Sequence, residues 1–448
     1  MEKKISLYNE KSSLFIFYLL SIICMVSINV GNYSFSKISY IVIGVLSIFT
    51  TLETNIILFF CLVPFPRIIL LNQSFFTLIP IIELIIVCKW LVLKQFNQRD
   101  YKALLSGACI LIYSSLVEYI RYATFSNSVE YCLKLFVILA ICDVTNKKLA
   151  KNCFGFLSLS SIISIIASYI FPTLSVYVRI KEVLYSTRIN GLLGDPGEFG
   201  QLLLSALSCY IVYCVLRNES NKRKFTILDV LSILVIACIS IYLMIQSGTR
   251  TCLIGLVIIY VFILLWLLKG KSRKTVTLGC IALIVTLFMG YYIWEIMFDT
   301  FMSSHGGESL NDDNRIRIWL NYLREFNDDI RIQIFGVGMD CSNTYGLIHK
   351  LGNPHNILIE KIFECGLVGL ILNCTFFVNV FKRKKCSVFE KANLPFYVFL
   401  STLFFYGSVG IELLYFLIGL LPSKNNNSDD KTNINLHNIR GNNGKGYS

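Results

Sequence analysis

LDVLSILVIACISIYLMIQ, residues 228–246, leads into Ser247-Gly248-Thr249-Arg250 and then into CLIGLVIIYVFILLWLL, residues 252–268. Two runs this apolar, joined by so short a polar turn, decide the fold. Crossing the hydrocarbon core of a bilayer takes roughly 20 mostly apolar residues as a helix. The bilayer offers the backbone no partner but itself, so both runs read as helices. Working outward from this pair, hydropathy places further spans at 14–30, 38–52, 56–71, 75–93, 103–120, 130–142, 153–171, 200–216, 276–298, 355–380 and 394–421. The third span in the chain holds Pro64 and Pro66 and should bend or break. The run at 130–142 is short, and the last, with Gly407 and Gly410, is one long helix or two short ones. The expected fold is therefore all-α: a single polytopic membrane domain over residues 1–421 with about 12–14 transmembrane helices. Residues 422–448 are Asn-rich and polar and read as a disordered tail.

Composition agrees. The chain is 55% hydrophobic and 15% charged, with a mean hydropathy of +0.64. An ordinary soluble domain is about 25% charged. The net charge of +13 would suggest nucleic acid in a soluble protein. Here the collection of Lys and Arg in cytoplasmic loops explains it better, and no nucleic-acid partner is expected. The first apolar run, Leu14 to Val30, lacks a small-residue cleavage site and is followed by more spans, so it reads as a span and not as a cleaved signal. The 16 Cys show no CxxC pair. Most, such as Cys109, Cys238, Cys252 and Cys280, sit singly in apolar runs as small hydrophobes. Cys341 is the clearest outward one, and no disulfide is expected.

Loop charge orients the chain. With the N-terminus inside, residues 1–13 and the loops 94–102, 143–152, 217–227, 269–274 and 382–391 carry 22 Lys and Arg. The opposite loops, 31–37, 118–129, 172–199, 247–251 and 299–353, carry 11 although they are longer. Identity matters as well as number. Inside, Lys outnumbers Arg 17 to 5; outside, Arg outnumbers Lys 8 to 3. The outer set is Arg121, Arg179, Arg188, Arg250, Arg315, Arg317, Arg324 and Arg331. Lys suffices as a topological charge, whereas the guanidinium fork binds phosphate or carboxylate at two points. An Arg-rich outer face points to an anionic ligand. The plainer reading is that these Arg pair with Asp312, Asp313, Asp328 and Asp329.

The outer loops 172–199 and 299–353 hold the candidate chemistry. Within the second, Asn311 to Arg331 reads as an amphipathic helix with Ile316, Trp319, Leu320, Leu323 and Ile330 at helical spacing. Such a helix lies on the membrane surface or covers a cavity; simple packing also accounts for its apolar side. Gly336-Val337-Gly338 suggests a tight turn or a close backbone approach. It lacks the third glycine and the βαβ setting of a nucleotide fingerprint. Arg188 to Phe199 is a Gly- and Pro-rich loop that gathers Arg188, Asp195 and Glu198 before the span at 200. Arg250, in the four-residue turn, either anchors at the interface or points into a polar cavity. His355 and Asn356 then open the span at 355, with Gly366 and Gly369 three apart along it. Imidazole is a usable base near neutral pH. Alternatively His355 caps the helix beside Pro354. The two glycines would let another helix approach closely.

In this order the pieces resemble the bacterial O-antigen polymerase and O-antigen ligase family over about residues 185–375. The resemblance rests on Gly191 to Pro196 opening a span, Ser247 to Arg250, Arg315 with Trp319, Gly336 with Gly338, and His355-Asn356 followed by Gly366 and Gly369. Gly197 and Glu198 stand where the family has Asn after the loop proline, and Leu370 where it has a small residue. The resemblance implies a glycosyltransferase of the bacterial cytoplasmic membrane with its active site facing outward and no cofactor or metal. It implies a glycan linked through diphosphate to undecaprenol as donor, and membrane lipid, a chain-length regulator and a flippase as partners. His355 would be the base, Arg188, Arg250, Arg315 and Arg317 the diphosphate ligands, and Asn356, Gly336, Gly338, Gly366 and Gly369 the supporting residues. Polymerisation of repeat units is the preferred activity. Ligation to lipid A core is the alternative, and a lipid-linked glycan transporter is the reading from another class. A transporter should carry charge within its spans; the candidates here are Glu83, Lys89, Lys134, Lys361 and Glu412.

Overall fold

A computed structural model describes residues 33–64, 78–94, 96, 98–170, 196–223, 225–247, 250–268, 314–352, 354, 356–384, 390–403 and 417–421, with five positions between 15 and 23. Among the described residues there are helices and no strands. In chain order they are α1 (Tyr33–Phe49), α2 (Leu52–Leu62), α3 (Leu78–Leu93), α4 (Gln98–Tyr122), α5 (Ser126–Val144), α6 (Lys147–Ile170), α7 (Pro196–Ser220), α8 (Ile227–Ser247) and α9 (Arg250–Leu268). Three amphipathic or short helices follow, α10 (Asn314–Asp328), α11 (Ile330–Phe335) and α12 (Ser342–Ile348). The long α13 (Ile357–Lys384) and the short α14 (Leu394–Leu403) complete the order.

Among the described residues five stretches are long and apolar enough to cross a membrane: Asp100–Tyr122, Lys147–Ala167, Phe199–Ser220, Ile227–Met244 and Ile357–Lys382. Ile38–Phe49, Leu52–Leu62 and Ile254–Trp266 are shorter apolar helices. The chain is thus a polytopic helical membrane protein. The expected span 276–298 lies outside the described residues, as do most of 14–30, the stretch 404–416 and the tail from 422.

Three boundaries differ from the hydropathy reading. The runs 38–52 and 56–71 become α1 and α2, separated by Thr50 and Thr51, with the Thr51 hydroxyl capping α2 on the Thr54 amide at 3.2 Å. The second stops at Leu62: Val63 is still helical at φ −52° and ψ −40° and its amide reaches the Phe59 carbonyl, and Pro64, which has no N–H to donate, follows it. Its residues Leu52 and Thr54–Leu62 are all buried, so α2 is an apolar core helix too short for a bilayer. The run 130–142, expected to be short, is the inner part of a full helix, Ser126–Val144. Its first turn is polar and therefore invisible to hydropathy.

The most buried of the span-length helices, α7, packs against α6, α8, α9 and α14, while α4 packs against α5 and α13. Ser158 of α6 donates to the Ala206 carbonyl of α7 at 2.8 Å, and Gly155 faces the ring of Tyr213, which sets the pair antiparallel. At one end of the bundle short links are tied by charge. Lys94 pairs with Asp143 and, at 3.2 Å, with Asp100; Arg217 pairs with Asp229. At the other end α10, α11 and α12 form a cap with its own small core of Tyr322, Ile332, Val337, Cys341, Tyr345 and Phe363. Because α6, α7 and α8 alternate in direction, Pro196 and Arg250, the first residues of α7 and α9, lie on this cap side.

Candidate active site

The site begins at a break in α13. Gly366 has φ 57° and ψ −172°, which no helix accommodates. A continuous helix would send the carbonyls of Phe363 and Glu364 to amides four residues on. Here they accept from the amides of Val337 and Gly338, each at 3.1 Å. Tyr113 of α4 donates its hydroxyl to the Phe335 carbonyl at 2.8 Å and to the Cys365 carbonyl at 3.1 Å. A Cβ on Gly336, itself at φ 69°, would strike the Glu364 carbonyl; one on Gly366 would strike the Gly336 amide and sit 2.7 Å from the Ile334 carbonyl. The two glycine pairs that stand apart in sequence are one joint, backbone against backbone. Gly369 admits the Tyr113 ring at 2.9 Å from where its Cβ would be, so it does receive a neighbouring helix. Gly366 receives the cap's backbone instead.

Charge locks the joint. Asp340, in the turn after Gly338, accepts from Lys361 of α13 at 2.9 Å and pairs with Lys134 of α5 at 3.6 Å. Burial would raise the Asp340 carboxyl, but the two ammonium groups outweigh it and hold the group below its ordinary value. Lys361 also donates to Glu364 at 2.6 Å, and Glu364 accepts from the Ser342 amide at 3.2 Å. Glu118, fully buried at the end of α4, accepts from the amides of Asn127 and Ser128 and so caps the start of α5. Lys89 donates to the Ser47 carbonyl at 2.7 Å. Three of the charges expected within the spans therefore serve structure, and Glu412 lies outside the described residues.

The cap core couples α10 to α13. The Tyr322 ring meets Phe363 edge-on at 4.9 Å, and its hydroxyl donates to the carbonyls of Ser342 and Gly352 at 3.1 and 2.8 Å. Burial, with Glu360 and Glu364 nearby, raises the Tyr322 hydroxyl and keeps it a donor. Cys341, expected to be outward, is buried, and burial pushes its thiol up to about 12. His349, which the sequence reading passed over, is exposed with its ring stacked 3.9 Å from that of Tyr345. The Tyr345 hydroxyl bonds Glu325 at 3.2 Å.

His355 lies outside the described residues, but both of its flanks are held. The indole N–H of Trp319 donates to the Pro354 carbonyl at 2.6 Å. Asn356 accepts from the amides of Leu358 and Ile359 at 3.0 and 3.2 Å and is the N-cap of α13. The capping role left open for His355 thus falls to Asn356. Arg188 is outside the described residues. Arg250 begins α9 and Arg315 is the second residue of α10, with side chains outside the described set. Arg317 is exposed on α10, and among the described residues no carboxylate pairs with it. The expected pairing of outer Arg with outer Asp is met by Arg331 and Asp329, at 3.3 Å.

The amphipathic helix expected at 311–331 is shorter and divided. Asp329, extended at φ −114° and ψ 103°, turns its carboxylate onto the Arg331 amide at 2.8 Å, ending α10 and starting α11. Residues 311–313 lie outside the described set. The apolar positions also divide. Ile318, Tyr322 and Phe326 face the cap core with half-buried Trp319 beside them, whereas Ile316, Leu320, Leu323 and Ile330 are exposed. Sequence reasoning missed the structural roles of Trp319, Tyr113 and the Asp340 pairings. The first carried a signal, since an indole N–H taken out of water needs an acceptor. Among the described residues no group of three His, Cys, Asp or Glu is arranged to hold a metal.

With this geometry in place, one comparison is informative. Residues 233–374 match the family model described as O-antigen ligase. The match takes in α8 to α12, the turn before Arg250, the glycine joint and the His-Asn flank; the Gly191–Pro196 loop precedes it. Neither curated proteins nor solved structures give a match.

Proposed function

We propose, from the premise that residues 233–374 belong to the O-antigen ligase family, that this membrane protein transfers a diphosphate-linked glycan to an acceptor sugar hydroxyl on its cap side. That side faces outward from the cytoplasmic membrane. The observation that carries this reading is the glycine joint. It seats the cap in α13 while Trp319 and Asn356 pin the residues flanking His355. His355 takes the proton of the acceptor hydroxyl as its oxygen bonds to the anomeric carbon. The bond from that carbon to the phosphate oxygen breaks, and the diphosphate leaves as an anion on undecaprenol. Arg188, Arg250 and Arg315 supply guanidinium forks for that anion, with Arg317 behind them. Polymerisation of undecaprenyl-diphosphate-linked repeat units, for O-antigen, capsule or exopolysaccharide, is the preferred reaction.

Two other readings remain in order behind it. Ligation to lipid A core uses the same residues with a different acceptor. A transport path is less well supported, because Lys89, Lys134 and Lys361 are engaged by carbonyls and carboxylates. His355→Ala in proteoliposomes should slow glycan extension by about 10²–10⁴-fold, the usual contribution of a general base, with insertion unchanged; full activity would remove the base assignment. A deletion strain decides the acceptor: single repeat units on the envelope indicate a polymerase, and long undecaprenol-linked chains that never reach lipid A core indicate a ligase.

A further inference from the structure

We propose that the exposed apolar edge of α10 and α11 docks on the bilayer leaflet on the cap side, with acyl chains against its apolar residues and anionic phospholipid head groups on Arg324, an exposed arginine of that edge that the proposed site does not use. The inference rests on the membrane architecture and holds whatever reaction the site performs.

Ile316, Leu320 and Leu323 lie at i, i+4 and i+7 on α10 and are 57%, 58% and 47% exposed. They are not spare core positions, because Ile318, Tyr322 and Phe326 already fill the cap core from the opposite side of the helix. The exposure matches that of Ile112 and Leu116 on α4 or Leu231 and Leu234 on α8, apolar positions on helices able to span a bilayer. Three apolar residues of the edge, seven positions apart, are each followed by an arginine: Ile316-Arg317, Leu323-Arg324 and Ile330-Arg331. Seven residues are close to two helical turns, so Arg317 and Arg324 line one border of the apolar stripe. Both are exposed, and among the described residues neither has a carboxylate partner. An apolar stripe bordered by unpaired guanidinium groups is the complement of a leaflet surface, where acyl chains lie beneath phosphates.

Depth supports the same occupant. The end of α11 meets Tyr113, nine residues before the end of α4, and Gly336 meets Gly366, nine residues into α13. Either path is about 13 Å along a helix axis. The segment therefore descends well below the ends of the spanning helices. Ile330, Ile334 and Phe335 remain exposed on that descent. The non-helical backbone at 336–338 is buried and hydrogen-bonded, as backbone at that depth must be.

Benzoylphenylalanine placed at Leu320, and separately at Leu323, tests this in full-length protein reconstituted in vesicles. One set contains phosphatidylglycerol and the other only phosphatidylcholine. Irradiation should give phospholipid adducts at both positions, about fivefold more with the anionic lipid, and Arg324→Gln should reduce that preference. In inserted, monodisperse protein, adducts to a second copy of this chain, or none at either position, overturn the docking. Equal yields on the two vesicle types overturn the head-group part.

Discussion

The indole N–H of Trp319 ties α10 to the residue before His355, across 35 positions of sequence. Pro354 is buried, so losing that donor strands a carbonyl away from water, a cost of about 1–3 kcal/mol. Trp319→Phe keeps the ring and removes the N–H. It should slow glycan transfer about tenfold while leaving the amount of inserted protein unchanged, as read from product ladders. Asp340 acts through charge instead. Its folded carboxyl is held below the ordinary carboxylate range by Lys361 and Lys134. The stability it contributes is therefore complete above the unfolded value and lost as pH falls through the depressed one. Asp340 is partly exposed, so Asp340→Asn should cost about 1–3 kcal/mol, less than removal from a fully buried pair. In a thermal melt the variant should lose stability at neutral pH and lose less on acidification than the parent does.

Among the elements, the broken α13 matters most. A helix crossing a membrane has no reason to expose two carbonyls unless another segment supplies donors, and the amides of Val337 and Gly338 do so. Gly366→Ala meets two obstacles, a positive φ and a collision with cap backbone that has no side chain to yield. It should cost about 3 kcal/mol, seen as a melting shift of several degrees together with loss of transfer activity. Gly107→Ala is the comparison. Its Cβ would meet side chains and no backbone, the edge of the Phe136 ring at 3.1 Å and the Phe376 ring at 3.6 Å, in ordinary helical geometry, and the shift should be small. Both glycine pairs were conspicuous in sequence. That they belong to one joint was not, because Gly336 and Gly366 are brought together by packing and not by any local periodicity.

At the scale of the whole molecule, Lys-rich links gather at one end of the bundle and the Arg-bearing cap at the other. If the cap faces outward, a tag after Asn221 should be reached only in permeabilised cells and one after Lys350 in intact spheroplasts; the reverse pattern would invert the proposed orientation. Hydropathy made the helical class, most spans and the polar cap segment readable, because insertion into a bilayer depends on summed local apolarity. It started α2 at 56 instead of 52, although it did expect a break at Pro64, and it started α5 at 130 instead of 126, because the first turn of α5 is polar and capped by Glu118. The His-Asn pair and the Arg at helix starts were visible as types and spacings. Which residue caps α13, what holds position 354 and which edge of α10 is left uncovered were not. The sequence by itself determined what must lie in the membrane and what chemistry is available at its surface. Only the tertiary structure decided which glycines meet, which charges are neutralised and which apolar edge stays open, since each depends on contacts between segments far apart in the chain.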